Sequence, residues 1–251
     1  MKLKLWMLVL LFFTHTIIQA STIKLAVAAN VSYAMDDLKK AFNKQYPDTK
    51  VLVTLGGSGK LVAQINHGAP YQLFMSANMM YPEALYKTGI ATSKPTVYAQ
   101  GSLAYFSAKV QDFRQEMQLT KATKIRKIAI ANPKTAPYGK ATVEALQKAG
   151  VYAEVKHKFV YGESIAQTVS YAVTAADLGF IAKSSLYSLK MSQYQEGVHW
   201  AEVNATLYTP IKQGMVLLRR AKGNEEVKAF YDFMLSQTAQ KILQDFGYQI
   251  P

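Results

Sequence analysis

Val51-Leu52-Val53-Thr54-Leu55-Gly56-Gly57-Ser58-Gly59-Lys60 is a β-rich apolar run that breaks at a glycine-serine cluster, and Leu61, Val62 and Ile65 then recur at helical spacing. A strand therefore ends where a helix begins. The same break recurs at Ala29-Asn30-Val31-Ser32, Pro137-Tyr138-Gly139 and Gly162-Glu163-Ser164-Ile165. The first N–H groups of a helix have no internal partner, and the helix dipole adds partial positive charge there. One such end is a weak anion site. Four aimed at one point make a strong one.

Working outward, Ile23 to Ala29 reads as a strand, and Asn30 as the cap of a helix with Val31, Met35, Leu38, Phe42 and Tyr46 on one face. Pro47-Asp48 ends that helix, and Gly68-Ala69-Pro70 ends the one after the glycine-serine turn. Leu73 to Met75 is a third strand, and Pro82 opens a helix that Gly89 closes. This βαβαβ order predicts a parallel sheet with right-handed crossovers. Leu103 to Ser107 is a further strand, followed by a charged stretch, Lys109 to Arg126. A second alternating set then runs Ile128–Ala131, Gly139–Ala149, Phe159–Tyr161, Ser164–Ala176 and Leu178–Ala182. Tyr208 to Leu218 returns as a strand containing Pro210 and Gly214, and Asn224 to Phe246 supplies closing helices. The chain is thus α/β, with two comparable units.

The 251 residues are 50% hydrophobic and 18% charged, enough apolar content to bury a core. Residues 1–20 read as a secretory signal: Lys2 and Lys4, an apolar run from Leu5 to Phe13, and Ile18-Gln19-Ala20 before Ser21. That run is too short to span a membrane. Localisation is therefore expected to be periplasmic. Cysteine is absent, which excludes disulfides, thiolate metal sites, a cysteine nucleophile and a lipid-modified N-terminal cysteine. The formal charge of +13 becomes +11 without Lys2 and Lys4, a surplus that favours anionic partners or simply keeps the surface soluble. The basic residues are scattered rather than gathered in a tract, so no nucleic acid partner is expected.

The glycine-serine turn is not an enzyme motif. A P-loop ending at Gly59-Lys60 needs Gly at Thr54 and Ser or Thr at Leu61, and a nucleophile elbow on Ser58 needs Gly at Lys60. As donors, Asn30 would offer its amide NH2, unless it is only a cap, and Ser58 its hydroxyl and N–H. Ile165 has only its backbone N–H, and Tyr138 at a helix start offers its N–H ahead of its phenol. Lys60 reads as solvated, adding distant charge. His67, His157 and His199 show no metal-ligand spacing. Asp36-Asp37 reads as a solvated helix face, and Met79-Met80 as core packing or an apolar surface contact.

At these four junctions the chain resembles the periplasmic molybdate-binding proteins of ABC transporters. The resemblance covers nearly all of the chain after residue 20. It rests on Ala28-Ala29-Asn30, Ser58-Gly59-Lys60-Leu61 through His67-Gly68-Ala69-Pro70, Ala131-Asn132-Pro133 with Ala136-Pro137-Tyr138-Gly139, Gly162-Glu163-Ser164-Ile165-Ala166-Gln167, and Leu178-Gly179-Phe180. It implies a two-lobe periplasmic binding protein of type II, each lobe a mixed, mostly parallel sheet flanked by helices, with the ligand in the inter-lobe cleft. It also implies an oxyanion held by Asn30 and Ser58 from one lobe and by the N–H groups of Tyr138 and Ile165 from the other; Ala29 and Gly59, beside them in the chain, are additional candidate donors. The metal atom would be reached only through its oxygens, without direct ligation. Ala182 departs from relatives that place a tyrosine there.

The expected lobes are residues 21–99 with 210–251, and 100–209, with hinges near Ala99-Gln100-Gly101 and Thr206 to Pro210. The expected function is capture of molybdate, and of tungstate too, by a monomer that hands it to an ABC transporter permease. No cofactor and no reaction are expected. A binding protein for sulfate or phosphate and an exported hydrolase stay open as alternatives.

Overall fold

The computed structural model describes residues 21–251, and the predicted secretory signal at residues 1–20 lies outside them. Strand β1 (Ser21–Ala28) runs into a single 3-10 turn, Ala29–Val31, before helix α1 (Ser32–Asn43). Then come β2 (Thr49–Gly56), α2 (Ser58–Asn66), β3 (Leu73–Met75), α3 (Met80–Lys87), β4 (Thr96–Gly101) and β5 (Leu103–Phe106). The charged stretch from Lys109 to Arg126 holds only 3-10 turns, over Phe113–Lys121. The second set is β6 (Ile128–Ala131), α4 (Pro137–Lys148), the short α5 (Tyr152–Val155), β7 (Phe159–Gly162), α6 (Ile165–Thr174) and β8 (Leu178–Ala182). The chain ends with β9 (Trp200–Glu202), β10 (Ile211–Leu217), α7 (Glu225–Met234) and α8 (Gln237–Asp245).

These strands form two five-stranded sheets, ordered β2-β1-β3-β10-β4 and β7-β6-β8-β5-β9. In the first, β1 pairs in parallel with β2 and β3, and β10 pairs antiparallel with β3 and β4. In the second, β6 pairs in parallel with β7 and β8, and β5 pairs antiparallel with β8 and β9. The central strands are buried along their length: β3, β5, β6 and β8 have no exposed position. That is why they read as unbroken apolar runs rather than alternating ones. The chain crosses from the first sheet to the second between Gly101 and Leu103 and returns between Glu202 and Ile211. Ala99-Gln100-Gly101 therefore lies within β4.

Two strands escape sequence reading. β4 is flanked by Pro95 and carries Gln100, and β9 is three residues long; neither has an apolar run to announce it. The helix predicted from Pro82 starts two residues earlier, and β10 starts at Ile211 because Pro210 has no N–H to give a ladder. The closing helices lie on α1: the Phe42 ring meets Phe230 and Phe233 edge-on, with centroids 5.0 and 5.6 Å away. Each such aromatic pair adds about 0.5–1.5 kcal/mol beyond the area it buries. No helix among the described residues is long and apolar enough to cross a membrane.

Candidate functional site

Three helix N-termini and the 3-10 turn after β1 meet at one small pocket. Ala28, Ala29, Asn30, Gly56, Gly57, Ser58, Ala77, Ala136, Pro137, Tyr138 and Ile165 line it. Every one is uncharged. Ser58 is the first residue of α2, Tyr138 the second of α4 and Ile165 the first of α6. At those positions a backbone N–H has no carbonyl within its own helix to receive it. Pro137, preset for the first helical turn, fits where no N–H is needed. All four residues singled out in the sequence are buried: Asn30 is 0% exposed, Ser58 and Tyr138 1%, and Ile165 4%.

The Ser58 hydroxyl oxygen accepts the N–H of Ala77 at 3.0 Å. That contact holds the rotamer and leaves the hydroxyl hydrogen available. Tyr138 keeps its phenol away from such a role. Its hydroxyl is buried and accepts from Gln213 Nε2 at 3.3 Å, and burial pushes its pKa well above the ordinary tyrosine value.

Asn30 differs from its expected role as a helix cap. No side-chain cap bond forms at the start of α1; instead Nδ2 donates to Gln213 Oε1 at 2.8 Å and to the Tyr248 hydroxyl at 2.9 Å. Its Oδ1 is buried without a partner among the described residues. The Asn30 carbonyl in turn accepts from Tyr248 at 2.9 Å and from Ser184 Oγ at 3.1 Å. Behind this, the Tyr98 hydroxyl donates to Gln213 Oε1 at 2.9 Å. Gln213, Tyr98 and Tyr248 were invisible in the sequence. Each is a lone polar residue in or near an apolar run, with nothing in its neighbours to mark it.

Gly59 is corrected as a donor, because its N–H is already given to Thr135 O at 2.9 Å. Lys60 is not a free solvated charge either: its Nζ lies 2.8 Å from Glu163 Oε2. Ala29 lines the pocket as the first residue of the 3-10 turn. Ala182 does not line it. It is fully buried in the core of the second sheet, paired with Leu103. Met79 packs its Sδ toward Gly214, while Met80 is half exposed.

The two glycine-serine and Gly-Glu-Ser turns touch. A Cβ at Gly57 would lie 2.9 Å from the Glu163 carbonyl oxygen and 3.4 Å from that of Thr135. Glycine is needed there for close approach of two backbones, not for an unusual φ. The pocket is therefore bordered by N–H and O–H donors brought together from both units. In such surroundings neutral donors act on a charge far more strongly than they do in water.

A family model described as bacterial extracellular solute-binding protein matches residues 23–249. The chain is 38% identical to the molybdate-binding protein of Azotobacter vinelandii over 92% of its own length and 90% of the relative's. It is 35% identical to the molybdate-binding protein of Rhodobacter capsulatus, over 89% and 86% of the two chains. The solved periplasmic molybdate-binding protein of Azotobacter vinelandii superposes with a TM-score of 0.84 at 30% identity, covering 91% of this chain and 99% of that one.

Proposed function

The chain belongs to the bacterial extracellular solute-binding proteins, and we propose that it captures molybdate outside the cytoplasm and passes it to the permease of an ABC importer. As a member of that family it is a carrier and not an enzyme. The observation that carries the molybdate reading is the pocket lined wholly by uncharged residues, on which the N-termini of α2, α4 and α6 converge.

In this reading the Ser58 hydroxyl and N–H donate from one lobe, and the N–H groups of Tyr138 and Ile165 from the other. Asn30 and Ala29 complete the shell at the end of β1. In this reading the lobes follow the two sheets, residues 21–101 with 211–251 and residues 103–202, so the first boundary lies past Gly101 rather than at residue 99, and they close on the ligand by bending where the chain crosses between sheets. Tungstate has the same charge and shape and binds the same way. Phosphate near neutral pH keeps a proton that demands an acceptor, and an unmatched buried polar group costs about 1–3 kcal/mol. Sulfate has no such proton, so only the size of the pocket excludes it.

Calorimetry with molybdate, tungstate, sulfate and phosphate tests this. Molybdate and tungstate are expected to bind well above the other two. Equal affinity for phosphate and molybdate overturns the all-donor site.

A further inference from the structure

We propose that Gln213 is a positioning residue of this site, its amide deciding which end of the Asn30 amide the pocket meets. The proposal rests on the oxyanion reading above.

Gln213 sits at an irregularity. The pairing of β10 with β4 shifts register between Gln213 and Gly214, and such bulges re-aim a side chain. At the next residue a Cβ would collide with Met79 Sδ and lie 3.2 Å from the Pro82 ring, so Gly214 lets β10 pack tightly onto the start of α3. The side chain of Gln213 is fully buried and reaches three partners. Its Oε1 accepts from Asn30 Nδ2 at 2.8 Å and from the Tyr98 hydroxyl at 2.9 Å, and its Nε2 donates to the Tyr138 hydroxyl at 3.3 Å. It joins Asn30 at the end of β1 to Tyr138 at the start of α4.

Both hydrogens of the Asn30 amide are committed in this arrangement, to Gln213 and Tyr248, while Oδ1 is a buried acceptor with no donor. An oxyanion needs hydrogens, and a bare carbonyl oxygen repels it. The two ends of an amide are nearly the same size, so half a turn about the terminal bond exchanges donor for acceptor without moving neighbours. Turning Asn30 alone would set its Oδ1 against Gln213 Oε1, acceptor against acceptor. Turning both amides resolves every contact. Gln213 Nε2 then donates to Asn30 Oδ1 and to the Tyr98 oxygen, the Tyr98 hydrogen turns to the Ser76 carbonyl 3.4 Å away, and Gln213 Oε1 accepts the Tyr138 O–H. Tyr248 donates to Asn30 Oδ1, while Ser184 Oγ still satisfies the Asn30 carbonyl. The unpaired acceptor disappears, and the Asn30 NH2 takes its place as a donor to the anion. The two amides turn together or not at all.

Calorimetric titration with sodium molybdate tests this on wild type, Gln213→Leu, Asn30→Ala and the double variant. Gln213→Leu is expected to lower affinity roughly ten- to hundredfold, the scale of one hydrogen bond to a charged group. In the Asn30→Ala background the same change should cost less than about threefold, because the residue through which Gln213 acts is gone. Additive losses, or wild-type affinity in Gln213→Leu, overturn the proposal. A second variant covers failure of Gln213→Leu to fold. In Gln213→Glu the neutral acid keeps one acceptor and one O–H donor, and the ionised form keeps acceptors only. Its molybdate affinity is expected to approach wild type at mildly acidic pH and to fall as pH rises. A profile parallel to wild type overturns the proposal. Wild-type protein that binds neither molybdate nor tungstate overturns the oxyanion reading itself, and this proposal with it.

Discussion

Lys60 Nζ lies 2.8 Å from Glu163 Oε2, joining the first turn of α2 to the turn before α6. Each partner stands two residues from a site residue, Ser58 in one case and Ile165 in the other. The pair forms only when those two turns are brought together. Its side chains are 57% and 60% exposed, however, and exposed pairs contribute only about 0–1 kcal/mol. Lys60→Ala is therefore expected to weaken molybdate binding by less than about fivefold, with most of the difference gone at high salt. Titrations at low and high ionic strength check this, and loss of binding in the variant would point to a charge-based site instead.

Ser58→Ala removes a hydroxyl that accepts the Ala77 N–H and, in the proposed site, donates to the anion. Binding should weaken by about 1.5–3 kcal/mol, the value of a hydrogen bond to a charged group. The orphaned Ala77 N–H should also lower the melting temperature of a still-folded protein. Calorimetry and a thermal melt read both effects. Unchanged affinity would remove Ser58 from the ligand set.

Gly57→Ala places a methyl group 2.9 Å from the Glu163 carbonyl oxygen, closer than real Cβ atoms approach. Because the contact is between backbones, neither side can give way cheaply, and the two turns should be held apart. Affinity is expected to fall at least about tenfold, a cost of about 1.4 kcal/mol. Small-angle scattering should show that added molybdate no longer compacts the variant. Wild-type affinity would mean that closure does not need this contact.

Ala182→Tyr introduces a large ring where the methyl group is fully buried beside Leu103, in the core of the second sheet. Overfilling such a space costs about 1–3 kcal/mol or more. Thermal melts should show clear destabilisation with no gain in molybdate affinity. A gain would show that the new hydroxyl reaches the anion.

High pH should unfold the protein through its buried phenols. Burial raises the pKa of Tyr98 and Tyr138 well above the ordinary value of 10.0, and that of Tyr248 is pushed up to about 12. Above pH 10 the unfolded chain releases protons that the folded chain still holds, so stability is full below that point and falls as pH rises. The loss is about 1.4 kcal/mol per pH unit for each such group. Denaturant titrations from pH 9 to pH 12 should show that slope, and Tyr248→Phe should make it shallower at the alkaline end. Stability independent of pH over that interval would mean these phenols ionise as freely folded as unfolded.

The α/β order, the two units and the four strand-to-helix junctions were legible in the sequence because each depends on neighbours in the chain. Apolar spacing, a glycine turn and a proline at a helix start act over a few residues, and Ser58, Tyr138 and Ile165 could be placed at helix starts from such patterns alone. The environment of Asn30 could not. Its amide is set by Gln213, 183 residues away, and by Tyr248, 218 residues away. The fate of the Gly59 N–H and of Lys60 was likewise decided by Thr135 and Glu163, which reach them only when the loops before α4 and α6 meet the glycine-serine turn. Backbone donors at a helix start follow from local geometry, whereas the direction of a side-chain amide follows from whichever donors and acceptors the packed fold brings beside it.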